Sequence, residues 1–360
     1  MLARNETPFA AIGFAQLHRD GDLMACLAVR ASYTLGADGA VELADRQETV
    51  LVDEHEGDPH RTPMRRVGDL IPFKPAADVT LVGSAHAPAG RPARTWPVEL
   101  SVGGHTARLR VHGPRQWQPG LTLLKPTWKL GEAEPAAAVP LDYRRAAGGR
   151  FLGDPDGEVD RRNPIGPGIA HRDHTRPGRP FPAPQIDSPA APVAGPYDAP
   201  EPQGFGPIPP WWEPRQRHAG TYDEAWKAER HPRLPGDFDY RFYQTAHPGL
   251  ILPGYLHGSE AVRVSGCRPG GAALSFTLPG VVPVADHAWD DGRAVRSRLN
   301  LDGLHLDLSG ERPRLDLTWR GWIARCPAYL FAVLSLLSLD EARGLPGCGA
   351  HGLTEAEDAA

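Results

Sequence analysis

Residues 98–111 read Val98-Glu99-Leu100-Ser101-Val102-Gly103-Gly104-His105-Thr106-Ala107-Arg108-Leu109-Arg110-Val111. Apolar and polar residues alternate on both sides of a Gly-Gly pair. Two glycines supply the positive φ values of a tight primed turn, and period-two alternation gives each arm one face to bury. The stretch predicts an antiparallel hairpin, and with it a chain built from strands.

Working outward, further strand candidates lie at 23–35, at 41–43 after the turn Gly36-Ala37-Asp38-Gly39, and at 79–85. Beyond the middle of the chain come 261–264 and 273–278, then 298–301 and 304–308 around Asp302-Gly303. That Asp-Gly pair predicts a second hairpin, which 314–319 extends into a meander. The segment from Pro327 to Arg343, with its apolar run Ala328 to Leu339, predicts a C-terminal helix closed by Gly344 and Pro346.

The fold expected is mainly β. Two sheet-rich parts of sandwich or meander type, 1–147 and 246–345, are joined by a Pro/Gly-rich irregular segment, 148–245, with a flexible tail at 346–360. Sixteen prolines lie between Asp154 and Arg215. Proline fixes φ and donates no backbone hydrogen bond, so polyproline-like or irregular backbone is expected there. Composition leaves open whether 187–202 is an ordered wrap or a loose loop.

From Gln203 to Arg241 the segment carries Phe205, Trp211, Trp212, Tyr222, Trp226, Phe238 and Tyr240. Surface loops do not normally hold so many large rings, so the segment reads as a plug held by aromatic burial. One short helix is punctuated within it: Thr221 as N-cap, Glu224 completing a capping box, and Pro232 ending the run. Tyr222 and Trp226, four apart, then project from one face, which is expected to be buried.

At 360 residues the chain has 39 basic and 44 acidic side chains, a net charge of −5. No global field favours nucleic acid or an acidic membrane. Four scattered cysteines, Cys26, Cys267, Cys326 and Cys348, show no zinc-ligand spacing and read as reduced, small apolar residues. The N-terminal stretch lacks a continuous apolar h-region, so no signal peptide is expected, and a cytoplasmic location is.

Two clusters suggest metal chemistry. Asp53, His55, Asp58 and His60 lie in one Gly/Pro turn, and His171 and His174 lie in the proline-rich stretch. Imidazole and carboxylate can ligate zinc or iron, but no regular element is evident to hold either set, and solvated loops are the favoured reading. No nucleophile elbow, phosphate loop, dinucleotide fingerprint or H-E-x-x-H is present. The sequence thus points to no enzyme and no cofactor. The alternative role for the aromatic segment is a protein-binding face made of Trp211, Trp212, Arg215, Arg217, Tyr222, Trp226, Arg230 and Arg241, since interfaces are enriched in Trp, Tyr and Arg.

An ordered series of motifs runs from Pro72-Phe73-Lys74-Pro75-Ala76-Ala77-Asp78-Val79 through Pro140-Leu141-Asp142-Tyr143-Arg144 and Arg162-Asn163-Pro164-Ile165-Gly166. It continues with Gly204-Phe205-Gly206-Pro207-Ile208, Gly220-Thr221-Tyr222-Asp223-Glu224-Ala225-Trp226 and Leu278-Pro279-Gly280. The series resembles a domain-of-unknown-function family whose genes sit in bacterial type VI secretion clusters, beside those for VgrG spike and PAAR tip proteins. The resemblance implies a cytosolic adaptor or chaperone that helps load a toxic effector onto the spike, without catalysis. Two other expectations stand beside it: a metal-assisted hydrolase using the His/Asp clusters, and a structural part of the spike itself.

Overall fold

The structure, a computed structural model, describes residues 2–122, 125–154, 156–172, 178–325 and 328–349. It is mainly β, with several sheets and short helices only. The predicted hairpin is present: strand Thr95–Val102 pairs with His105–His112, and Gly103 takes a φ of 56° at the turn. These two strands are central in a five-stranded antiparallel sheet, flanked by Ile186–Asp187 on one side and by Ala261–Ser265 and Leu274–Thr277 on the other.

A six-stranded sheet runs in the order Ala10–Leu17, Leu23–Leu35, Arg314–Ala324, Asn300–Asp307, Asp78–Val82, with Val41–Leu43 added on Leu23–Leu35. Only the Asn300–Asp307 and Asp78–Val82 pair is parallel in it. Val29, Ala31, Tyr33, Leu304, Leu306, Leu315, Leu317 and Trp319 of this sheet share one apolar core with Val98, Leu100, Leu109 and Val111 of the five-stranded sheet. Phe9 stacks on Trp319 within it, ring centres 5.9 Å apart. The first and last thirds of the chain therefore meet in shared sheets instead of standing as separate parts.

Two expectations fail, both for reasons of pairing. Asp302-Gly303 is no turn; strand Asn300–Asp307 runs through it, and the register slips between Leu301 and Gly303 as a bulge. The bulge places the Asp302 carboxylate in the interior beside Arg320, which a hairpin turn would leave in solvent. The predicted C-terminal helix is a strand, Tyr329–Ser338, in a four-stranded sheet with Leu2–Asn5, Val281–Trp289 and Ala294–Arg298. Its apolar run has a hydrogen-bonded partner on each side, Leu2–Asn5 in parallel and Val281–Trp289 in antiparallel. A short unbroken apolar run suits a doubly flanked strand as well as a helix.

The proline-rich segment is ordered among the described residues. Asp187, where a loose loop was one alternative, is buried and accepts from Arg110 Nε at 2.9 Å and Arg115 Nη2 at 3.2 Å. Asn163, fully buried, donates to the carbonyls of Tyr143 and Ala147 at 2.8 and 2.9 Å. That amide fastens the Pro140–Gly149 motif to the Arg162–Gly166 motif. Gly149, at φ 79°, lies so close to the Gly166 carbonyl that a methyl group there would collide with it.

Candidate functional site

The middle segment divides its rings between inside and outside. Phe205, Trp212, Phe238, Tyr240 and Tyr243 are buried. Trp212 packs edge-on against Tyr143, ring centres 5.2 Å apart. Tyr240 lies 4.5 Å from the Phe73 ring, which in turn stacks on Trp322 of the six-stranded sheet at 5.6 Å. The segment is thus anchored to that sheet through a ladder of rings.

The short helix is Glu224–Glu229, and its cap is Asp223, whose carboxylate accepts from Trp226 N at 2.8 Å. Thr221 instead gives both its N–H and its hydroxyl to Asp237, at 2.9 and 2.7 Å, closing the base of the loop that carries the helix. The helix buries none of its residues, contrary to the reading of its Tyr222/Trp226 face. Those two rings meet edge-on at 4.7 Å, and Trp226 Nε1 donates to the Arg233 carbonyl at 2.9 Å. The excursion is braced from within, so it does not need the core.

This sorts the eight residues proposed for binding. Trp212 and Arg215 are buried and present no surface to a partner, a correction to the sequence reading. Arg215 spends its guanidinium on the carbonyls of Phe242 and Ile208, both at 2.9 Å, and burial pulls its pKa down to about 10. Arg230 is half-buried and donates to the carbonyls of Leu234 and Arg19. Arg241 is exposed but paired with Asp239, and Arg217 is exposed beside His218. Trp211 is 36% exposed and Tyr222 52%.

The loop that suggested a metal site comes to the same place. His55 stacks on Trp211 at 5.3 Å with rings 23° apart, and His60 meets it at 5.2 Å. Both imidazoles lie against the indole of Trp211. Asp53 accepts from Gly68 N, and Asp58 accepts from His60 N, at 2.8 and 3.0 Å. Arg144 Nη2 ties the loop down by donating to Glu56 at 2.6 Å and to Asp142 at 2.8 Å. Among the described residues no three His, Cys, Asp or Glu side chains are grouped to hold a metal ion. His171 gives its backbone N–H to the Leu152 carbonyl; His174 lies outside the described residues.

A second feature escaped the sequence reading. The face of the six-stranded sheet opposite the apolar core carries Arg30, Ser32, Asp78, Thr80, Asp302, His305, Asp316, Thr318 and Arg320, and all are buried. Residues 67–74 and Thr245 cover it. Arg30 is bonded to Asp69 at 2.6 Å and to Asp316 at 3.4 Å; Arg320 pairs with Asp302 at 2.5 Å. Lys74 Nζ, Thr245 N and Thr245 Oγ1 all converge on Asp78 Oδ2, at 2.7, 2.6 and 2.8 Å. Burial pulls the Lys74 ammonium below its ordinary range and pushes the Asp302 carboxyl above its own. His305 bonds Thr80 Oγ1 at 2.9 Å, and burial holds its pKa down at about 4. Each cation is matched by a carboxylate within hydrogen-bond reach, and the Asp69, Lys74 and Thr245 contacts fasten the covering segments to the sheet. The alternation Val29-Arg30-Ala31-Ser32-Tyr33 and Leu315-Asp316-Leu317-Thr318-Trp319-Arg320 marks one polar face on neighbouring strands, with Arg30 on one and Asp316 on the other.

The three buried thiols follow the reading made of them. Cys26, Cys267 and Cys348 are free, and burial pushes them up to about 12, 12 and 11. Cys326 lies outside the described residues. Among the described residues no helix is long and apolar enough to cross a membrane.

Fold and site together define a multi-sheet β protein with a charged sheet face buried under residues 67–74 and Thr245, and with a proline-rich middle that carries exposed aromatic residues. The chain belongs to the family described as an uncharacterized protein conserved in bacteria (DUF2169), whose model matches residues 20–320. Comparison with curated proteins and with solved structures gave no match.

Proposed function

We propose that this protein is a non-enzymatic adaptor or chaperone that binds a type VI secretion effector and helps load it onto the VgrG/PAAR spike. The observation that carries the reading is the division of rings in the middle segment. Most are consumed by the core, yet Trp211 is held at the surface between two imidazoles, and Tyr222 stands outside on its own braced loop. Holding large rings rigid and exposed lowers the entropy lost on binding, and such rings are the usual anchors of protein interfaces. The motif series resembling secretion-cluster proteins supports the choice of partner. Its buried members, such as Asn163 and Asp78, are spent on holding the segment in place.

Acting as a cover for an apolar surface of the effector until secretion requires contact area and no shifted pKa. The test is co-expression with a type VI effector and the VgrG and PAAR proteins of the same bacterium, followed by affinity purification. The reading expects the effector, with or without VgrG, to co-purify, and expects Trp211→Ala with Tyr222→Ala to lose it while the protein stays folded. Purification without either partner would overturn it.

A further inference from the structure

Between the charged sheet face and its cover lies a cavity of about 20 Å³, lined by Arg30, Lys74, Asp78, Thr80, His305 and Arg320 among others. Three polar atoms on its lining residues have no hydrogen-bond partner among the described residues: Asp78 Oδ1, His305 Nε2 and Arg320 Nε. All three residues are at least nine-tenths buried. A buried polar atom left unpaired is costly, so each of the three needs a partner that the described residues do not supply.

The chemistry of that partner follows from the atoms. Arg320 Nε–H only donates, and the Asp78 carboxylate only accepts. A ligand serving both must accept and donate. A bare anion would leave Asp78 unmatched, and a cation would face Arg320. Each neighbouring cation already has a carboxylate partner, and the fourth carboxylate, Asp316, is bonded to Arg30 and Ser32, so no unpartnered charge calls for an ion. Size sets the rest, since a cavity of this volume admits one water molecule and little more. We infer that the cavity is a binding site for a single structural water, which accepts from Arg320 Nε and donates to Asp78 Oδ1 and onward towards His305 Nε2. Asp78 Oδ2 already takes Lys74 and Thr245, so this water links the cover to the strand carrying Arg320.

Gly303 provides the test, because it lines the cavity and is not at a positive φ. A methyl group there enters the cavity and meets the Thr318 side chain at 3.2 Å, a contact that a small shift relieves. If the site holds a water, Gly303→Ala expels it, leaves the three atoms unpaired, and lowers the folding equilibrium constant by roughly tenfold or more. Filling a dry cavity would cost no more than the strain of the Thr318 contact, so the density at the site, and not stability alone, separates the two cases. High-resolution diffraction from the unsubstituted full chain gives an independent readout. It should show one density peak of water strength within 3.2 Å of Arg320 Nε and Asp78 Oδ1, absent in Gly303→Ala. A dry cavity, an anomalous peak of an ion, or a side chain turned into the space would overturn the assignment, as would a more stable Gly303→Ala protein.

Discussion

Arg30 and Asp69 form a two-pronged ion pair inside the protein, Nε to Oδ2 at 3.0 Å and Nη2 to Oδ1 at 2.6 Å, with neither side chain more than 4% exposed. Asp69 also accepts from Val50 N at 2.8 Å, so one carboxylate joins the sheet to two stretches of the covering chain. Asp69→Ala leaves the buried guanidinium with only the longer contact to Asp316 and should cost about 3–5 kcal/mol in urea unfolding. Replacing both partners by apolar residues, as in Arg30→Met with Asp69→Leu, should recover part of that loss, since Asp316 and Val50 N each still lose a partner. A double variant as unstable as the single one would show that the pair contributes more than mutual neutralisation.

Acid should loosen the same face. The His305 imidazole titrates at about 4 in the fold and near 6.5 in an unfolded chain. Between those values the unfolded chain binds a proton that the folded one does not, so stability is whole above pH ~6.5 and declines towards pH ~4. The loss reaches up to about 3 kcal/mol. Urea midpoints across this window should fall on acidification, and His305→Gln should flatten the slope. Asp187 acts lower on the scale. Burial alone would raise its carboxyl, but bonds from His112 and Arg110 outweigh it and hold the group well below the carboxylate range. Its contribution is present above pH ~4 and is lost as pH falls further.

Two adjacent tryptophans should behave oppositely. Trp212→Ala removes a ring that is 2% exposed and packed on Tyr143, and should cost about 3–5 kcal/mol. Trp211→Ala removes a surface ring and should change stability by about 1 kcal/mol or less. Thermal denaturation separates the two, and co-purification of the effector with the Trp211 variant lost would place the ring at the interface.

Gly149→Ala should be among the most damaging single changes to the middle segment. A side chain at φ 79° is strained in itself, and this one would also press on the Gly166 backbone. The expected cost is about 1–3 kcal/mol from conformation alone, with the collision added to it. Soluble yield and melting temperature are sufficient measures; a variant as stable as the parent would show that the two motifs are not locked together.

Much of the strand content could be read from the residues, because alternation and turn chemistry are local. Val98 to Val111 announces its own hairpin, and Leu23–Leu35 its own strand. What the residues next door cannot announce is what lies on the far side of a sheet. Arg30, His305 and Asp316 alternate with core residues as solvent-facing positions would, and only the cover makes them interior. Asp302-Gly303 has the composition of a turn, but Arg320 on the neighbouring strand draws Asp302 inward as a bulge. The same limit left the binding candidates unsorted: no spacing rule brings His55 and His60 to Trp211, or separates exposed Trp211 from buried Trp212.

Strand Leu23–Leu35 has its longest partner in Arg314–Ala324, and Arg30 waits for an aspartate 286 positions further along. During synthesis the early strand leaves the ribosome long before anything can pair with its second edge. Nucleation by local hairpins is available early, but closure of the large sheet is deferred until residues 314–324 have been made, which makes for slow maturation with unpaired strand edges exposed. A nascent copy would therefore depend on cellular holding factors, and truncation after the middle segment would yield an insoluble fragment with no independently stable half.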